Sequence, residues 1–181
     1  MRPDATWTSS SRPFGVDRTA EFQPEAVIRL LGRHEVRYVL IGGLAAVTHG
    51  APIVTQDIDL CYARDTPNLE RLSAALSEVH AYLRGADAGL PFRLDVRTLA
   101  KGDAFTFTTD LGWIDILATP AGTQGYDDLA RAAQPFQLFG HVVLIAAVED
   151  LIRMKRAAGR PKDLLALEEL GALREELDRT P

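Results

Sequence analysis

The stretch "IGGLAAVTHGAPIVTQDIDL", residues 41 to 60, places Asp57 and Asp59 shortly after a glycine pair, Asp57 following Gly43 by 14 residues. In an extended strand alternate residues share a side, so Asp57 and Asp59 project together while Ile58 and Leu60 turn toward a core. Two carboxylates held side by side repel, and they resist double ionisation unless a cation offsets them. A divalent metal is the usual counter-charge, and Mg2+ favours a few carboxylates combined with phosphate oxygens. An Asp-x-Asp alone also suits a solvated strand edge, so its meaning depends on what accompanies it.

Two further features sharpen the reading. In "GWIDILAT" Asp115 interrupts the apolar run of Trp113, Ile114, Ile116 and Leu117, where an unpaired charge is costly. A third carboxylate on a second strand is what a shared metal site needs, although a strand-end aspartate also caps turns. Gly42 and Gly43 fall where a buried strand, "YVLIGG", turns into a short helix, so bare backbone can approach a phosphate with no side chain in the way.

The surroundings are those of one domain. A chain of 181 residues with 46% hydrophobic content can bury a single sizeable core. The longest apolar runs, "YVLIGG" and "VVLIAAV", are far shorter than the roughly 20 residues of a membrane span, so we expect a soluble, cytoplasmic protein with no membrane partner. Cys61, the single cysteine, cannot form an internal disulfide and reads as core. A net charge of -5 disfavours bulk electrostatic binding of nucleic acid. Within "RMKRAAGRPKD", however, Arg153, Lys155, Arg156, Arg160 and Lys162 stand against Asp163 alone, a local +4 that leaves -9 elsewhere. Such a segment suits a local anion site or a solvated helix end. Only three lysines occur beside 17 arginines, and Lys155 and Lys162 both lie here.

Along the chain, residues 1 to 22 read as a disordered arm and residues 23 to 181 as the folded domain, with C-terminal helices from about 147. Helical spacing follows Pro24, "LAAVTHG" is a short helix closed by Gly50, and "PNLERLSAALSEVHAYLRG" is an amphipathic helix. His49 reads as packing or a cap at a helix end. "FTFTTDLGWIDILAT" predicts a hairpin with strands near 104–108 and 113–118, "YDDLARAA" a short helix, and "FQLFGHVVLI" a strand pair around Gly140. The C-terminal helices break at Gly159 to Pro161.

The order Gly-Gly, short helix, Asp-x-Asp, then a later strand aspartate resembles the DNA polymerase β-type nucleotidyltransferase superfamily. More narrowly, "IGGLAAVTHG…TQDIDL", "GDAFTFTTDLGWIDIL" and "EDLIRMKRAAGRPKDLLALEEL" are similar to bacterial AbiEii/MenT-type toxins, over residues 38 to 170. The resemblance implies an α+β nucleotidyltransferase fold: a mixed β-sheet flanked by helices with a C-terminal helical segment. It implies that Asp57, Asp59 and Asp115 bind Mg2+, with Mn2+ as the alternative, and that Gly42 and Gly43 hold the triphosphate of an NTP. It makes Lys155 catalytic and places Arg160, Lys162 and Asp163 at the nucleotide. The implied reaction moves a nucleoside monophosphate to a hydroxyl, with RNA, a tRNA 3′ end first, as acceptor in a toxin–antitoxin setting. The alternatives are an antitoxin that modifies a partner toxin protein with AMP and an inactive interaction module. Toxin relatives often carry Ser or Thr after the glycine pair; here that position is Leu44, and Thr48 is the nearest hydroxyl in the motif.

Overall fold

The computed structural model describes residues 21–86, 92–161 and 163–179. The expected arm up to residue 20, and Lys162, lie outside the described residues. Phe22, at the end of that arm, packs against the core, and the Gln23 N–H donates to the Leu111 carbonyl at 3.0 Å.

In chain order the elements are α1 (Pro24–Arg33), β1 (Tyr38–Ile41), α2 (Gly42–Thr48), β2 (Asp57–Tyr62), α3 (Thr66–Glu78), β3 (Tyr82–Leu83) and α4 (Val96–Lys101). They continue with β4 (Ala104–Thr109), β5 (Gly112–Leu117), α5 (Tyr126–Ala130), β6 (Gln134–Leu138), β7 (His141–Ile145), α6 (Val148–Ala158) and α7 (Asp163–Arg179). The strands form one mixed sheet in the order β3-β4-β5-β2-β1-β7-β6. β1 runs antiparallel to β2 and parallel to β7, while β2 runs parallel to β5. This is the α+β arrangement expected from the sequence, a mixed sheet flanked by helices with a helical C-terminus.

Local chemistry accounts for the main elements. The β4–β5 hairpin closes through Gly112 at φ +104°, a backbone region that glycine enters without strain. Val27, Ile28, Leu30 and Leu31 put one face of α1 into the core, each worth about 1.5–3 kcal/mol of apolar burial. Asp65 caps α3 by accepting from the Asn68 N–H. Buried Asn68 in turn accepts from the Arg37 N–H at 2.7 Å and donates to the Arg37 and Ala63 carbonyls, tying the entrance of β1 to the exit of β2.

The two faces of β2 and β5 decide where a site can form. Ile58, Leu60, Ile114 and Ile116 are buried, and Tyr62 on their face donates its hydroxyl to the Leu99 carbonyl of α4 at 3.2 Å. The opposite face carries Asp57, Asp59, Trp113 and Asp115, all partly open. The helix expected over "PNLERLSAALSEVHAYLRG" ends at Glu78 and not at Gly85: the chain turns through His80 at φ +50°, and Tyr82 and Leu83 form β3 against β4. α4 lies in the stretch that shows no pattern in the sequence. Gly159 ends α6 in the left-handed region at φ +59°, and α7 begins at Asp163. Among the described residues, no helix is long and apolar enough to cross a membrane.

Candidate active site

Strand register sets the acidic residues in line. Asp59 of β2 lies directly opposite Asp115 of β5, and Asp57 lies opposite Trp113. Asp115 pairs on its other side with Thr106 of β4, whose carbonyl accepts the Arg84 N–H at 2.9 Å. Residues directly opposite one another in a ladder project to the same face. A row of Asp59, Asp115, Thr106 and Arg84 therefore crosses the sheet, with Asp57, Trp113, Thr108 and Tyr82 as the adjoining row.

The glycine pair closes over the end of this row. Ile41 is the register partner of Asp59, and the chain then turns at Gly42 with φ +69°. A Cβ on Gly42 would sit 2.0 Å from Asp59 Oδ2. Only glycine both adopts that backbone angle and leaves the carboxylate its place. Gly43 donates its N–H to Asp59, and a Cβ there would meet Thr55 Oγ1 at 2.8 Å.

The electrostatics follow from this crowding. Burial pushes the Asp59 carboxyl up to about 7, repulsion from Asp57 and Asp115 adds to the rise, and Lys155 and the Gly43 N–H oppose it. The other two carboxylates have near partners. Arg84 Nη2 donates to both Asp115 oxygens, at 2.9 and 2.8 Å, while its guanidinium lies 4.8 Å from the centre of the Trp113 ring. Thr55 Oγ1 donates to Asp57 Oδ1 at 2.9 Å. Lys155 Nζ donates to Asp163 Oδ1 at 3.2 Å, joining α6 to the first residue of α7.

As they stand, no three His, Cys, Asp or Glu side chains among the described residues form a group poised around a metal. The donor set nonetheless fits a hard divalent cation: all three groups are carboxylates, and the Asp59 carboxyl, raised first by burial, is raised further by the negative charge of Asp57 and Asp115, which such an ion would offset. With Arg84 on Asp115 and Thr55 on Asp57, side-chain rearrangement would have to accompany cation binding.

Thus Asp57, Asp59, Asp115, Gly42 and Gly43 are gathered at one end of β1, β2 and β5, and Lys155 is close enough to act on the Asp59 charge. Asp163 is buried against Lys155, and Arg160 is exposed in the α6–α7 connection. The basic segment is not a uniform patch. Arg153 is engaged by Asp128 and Asp150 at 3.0 and 2.8 Å, and Lys155 by Asp163. A groove of about 540 Å3 runs along another face of α6, lined by Glu149, Ile152, Arg153, Arg156, Ala157 and Arg174, and none of the gathered residues borders it.

Arg84 and Thr55 were not singled out by sequence. Thr55 stands in "TQDIDL" two residues before the first aspartate, and that adjacency was a usable signal. Thr48 spends its hydroxyl on the Leu44 carbonyl of its own helix, at 2.8 Å, so the hydroxyl beside the glycine pair is that of Thr55. His49 makes structural contacts, with Nε2 2.8 Å from the Ala146 carbonyl oxygen and its ring edge-on to Phe136.

No protein-family model matches the chain, and no curated protein matches it in sequence. Among solved structures it is similar to the lincosamide antibiotic adenylyltransferase LnuA in its lincomycin-bound form, with a TM-score of 0.56 at 12% identity over 84% of this chain and 99% of that one. A looser likeness, with a TM-score of 0.42 at 15% identity over 87% of this chain and 96% of the other, is to TM1012 of Thermotoga maritima, a protein provisionally assigned as a nucleotidyltransferase. The fold is that of a nucleotidyltransferase.

Proposed function

We propose that the chain is a nucleotidyltransferase that moves a nucleoside monophosphate from an NTP to a hydroxyl acceptor. The observation that carries this reading is the register of Asp59 against Asp115, with Asp57 beside them and Gly42 packed on the Asp59 carboxylate. Asp57, Asp59 and Asp115 would hold Mg2+, or Mn2+ in its place, which supplies positive charge to the phosphate oxygens and to the attacking oxygen. The acceptor oxygen bonds to the α-phosphorus, the bond to the β-phosphate breaks, the hydroxyl proton is released, and pyrophosphate leaves.

The chain's own residues position this exchange. Gly42 and Gly43 keep side chains away from the triphosphate, and the Gly43 N–H helps keep Asp59 ionised. Lys155, held by Asp163, places a point charge beside Asp59 where the leaving pyrophosphate gathers charge. Arg160 and Lys162 would contact the NTP phosphates.

For the acceptor we favour RNA, with a tRNA 3′ end first, acting as the toxin of a toxin–antitoxin pair. The support is the motif resemblance together with Arg156 and Arg160, both exposed. A small-molecule hydroxyl is the second reading, favoured by the pairing of Arg153 and Lys155 with carboxylates and by the likeness to an enzyme whose name gives an antibiotic as its acceptor. The test is incubation with each α-labelled NTP and Mg2+ in the presence of total RNA, cell protein or small hydroxylated compounds. Label in RNA supports the first reading and label in a small compound the second. Label in protein alone would point to an antitoxin that modifies its partner. Absence of pyrophosphate release with every acceptor would refute nucleotidyl transfer.

A further inference from the structure

We propose that Arg84 is an internal counter-cation for Asp115: it competes with a divalent metal for that carboxylate, and Trp113 reports the exchange. The inference rests on the nucleotidyltransferase reading in one respect, that the metal is held by the acidic row.

The contact is specific. One guanidinium nitrogen, Nη2, reaches both Asp115 oxygens, at 2.9 and 2.8 Å. The pair is partly shielded, the Arg84 and Asp115 side chains being 28% and 15% exposed, so the charges act through a medium less polar than bulk water. A divalent ion on Asp115 would need one or both of those oxygens and would set its charge against the guanidinium. Both cations cannot hold the carboxylate at full strength, and the competition is reciprocal: whatever Arg84 contributes to neutralising Asp115, the metal must replace.

The backbone behind Arg84 suits such an exchange. The residue follows β3, an edge strand of only Tyr82 and Leu83. Its N–H is fixed to the Thr106 carbonyl at 2.9 Å, so the base of the side chain keeps its place in the row. Gly85 comes next at φ +74°, with no atom within 4 Å of where a Cβ would stand. A long side chain anchored at its base and partly exposed at its tip can change partner without moving the sheet. The guanidinium now sits over the Trp113 ring, 4.8 Å from its centre. Because Trp113 and Asp115 share this face of β5, a guanidinium that moves away from Asp115 changes its position relative to the ring. Once freed, the guanidinium remains beside the anionic triphosphate that accompanies the metal, where a fork of donors suits phosphate oxygens. Arg84 therefore weakens binding of the bare ion and strengthens binding of the NTP.

The two effects have opposite signs, which separates positioning from plain structural support. The experiment uses the full chain carrying Trp7→Phe, so that Trp113 is the fluorophore, with Arg84 intact or replaced as Arg84→Met or Arg84→Lys. Mn2+ without nucleotide is titrated by electron paramagnetic resonance, and Trp113 emission is followed in a parallel titration with Mg2+. We expect Arg84→Met to bind Mn2+ about tenfold more tightly, the scale of a charge-assisted hydrogen bond removed from the competition. Mg2+, which does not itself quench tryptophan, should change Trp113 emission when Arg84 is present and leave it nearly unchanged in Arg84→Met. The KM for NTP should rise in Arg84→Met, with Arg84→Lys between it and the parent in both binding and KM. Equal Mn2+ affinity in parent and Arg84→Met overturns the proposal and leaves the nucleotidyltransferase reading standing. Absence of Mn2+ binding in both overturns the metal site and the proposal with it.

Discussion

Replacing Asp59 with asparagine removes one charge from the most crowded point of the site, and its consequence for stability can be worked from the structure. The Asp59 carboxyl is pushed up to about 7 from its ordinary 3.8, first by burial and then by Asp57 and Asp115. Because the folded chain holds this proton more tightly than the unfolded chain, the stability associated with it is fully present below about pH 4. It is lost as pH rises through 7. The full gap corresponds to about 4 kcal/mol, and solvent at the open face reduces it, so we expect about 2–3 kcal/mol. Asparagine is neutral at every pH, as protonated Asp59 is, and its amide oxygen still accepts from the Gly43 N–H. In metal-free buffer Asp59→Asn should therefore match the parent at about pH 4, gain on it as pH rises toward 7, and exceed it fully at pH 8.5. For a chain of this size the difference amounts to a melting temperature higher by about 5–10 °C. Mg2+ should narrow that gap by stabilising the parent, because an ion that binds only the folded state shifts folding toward it. Thermal denaturation followed by circular dichroism across this pH range is the assay. Parallel pH dependence in the two proteins would refute the reasoning, since it would mean that Asp59 is neither crowded nor desolvated.

Substitutions at Gly42 and Lys155 bear on the rest of the site. Gly42→Ala combines a backbone at φ +69° with a Cβ 2.0 Å from Asp59 Oδ2, so it should cost about 2 kcal/mol or more and abolish transfer; normal melting and normal activity together would show that the glycine does not support the carboxylate. Lys155→Ala leaves buried Asp163 without its 3.2 Å partner, so it should destabilise by about 1–3 kcal/mol while raising the KM for NTP and lowering kcat. In that comparison Lys155→Arg should rescue in part and exposed Arg156→Ala should be near neutral; equal kinetic losses at both positions would mean a diffuse basic surface.

How much of this was legible in the sequence depended on the range over which each signal acts. The shared face of Asp57 and Asp59 follows from the two-residue period of a strand, and the β4–β5 hairpin from alternation around "TDLG", both local rules. The pairing of β2 with β5 links residues more than fifty positions apart, and no local rule states that Asp59 falls opposite Asp115 and not one position away. Arg84 was invisible for a related reason. The helical spacing of "PNLERLSAALSEVHAYLRG" runs on to Leu83 and places Arg84 at a helix end, whereas the preceding strand is only two residues long and the residue gains its place from the register of β3 on β4. Lys155 and Asp163 were each noticed, but the contact between them depends on how the chain turns at Gly159, whose left-handed backbone brings α7 back along α6. The apparent +4 of residues 153 to 163 shows the limit of counting charges along a chain. The carboxylates that engage Arg153, Asp128 and Asp150, come from α5 and from the preceding turn of α6.

The central claim is that the acidic row transfers nucleotide. Its most direct test is pyrophosphate release from an α-labelled NTP with Mg2+ and the best acceptor, measured for the parent, Asp59→Asn and Asp115→Asn after each is shown to be folded. The account predicts turnover in the parent, its loss on chelation by EDTA, and a fall on the order of a thousandfold or more in both variants. Full activity in either folded variant, or activity in the parent that survives EDTA, would contradict it.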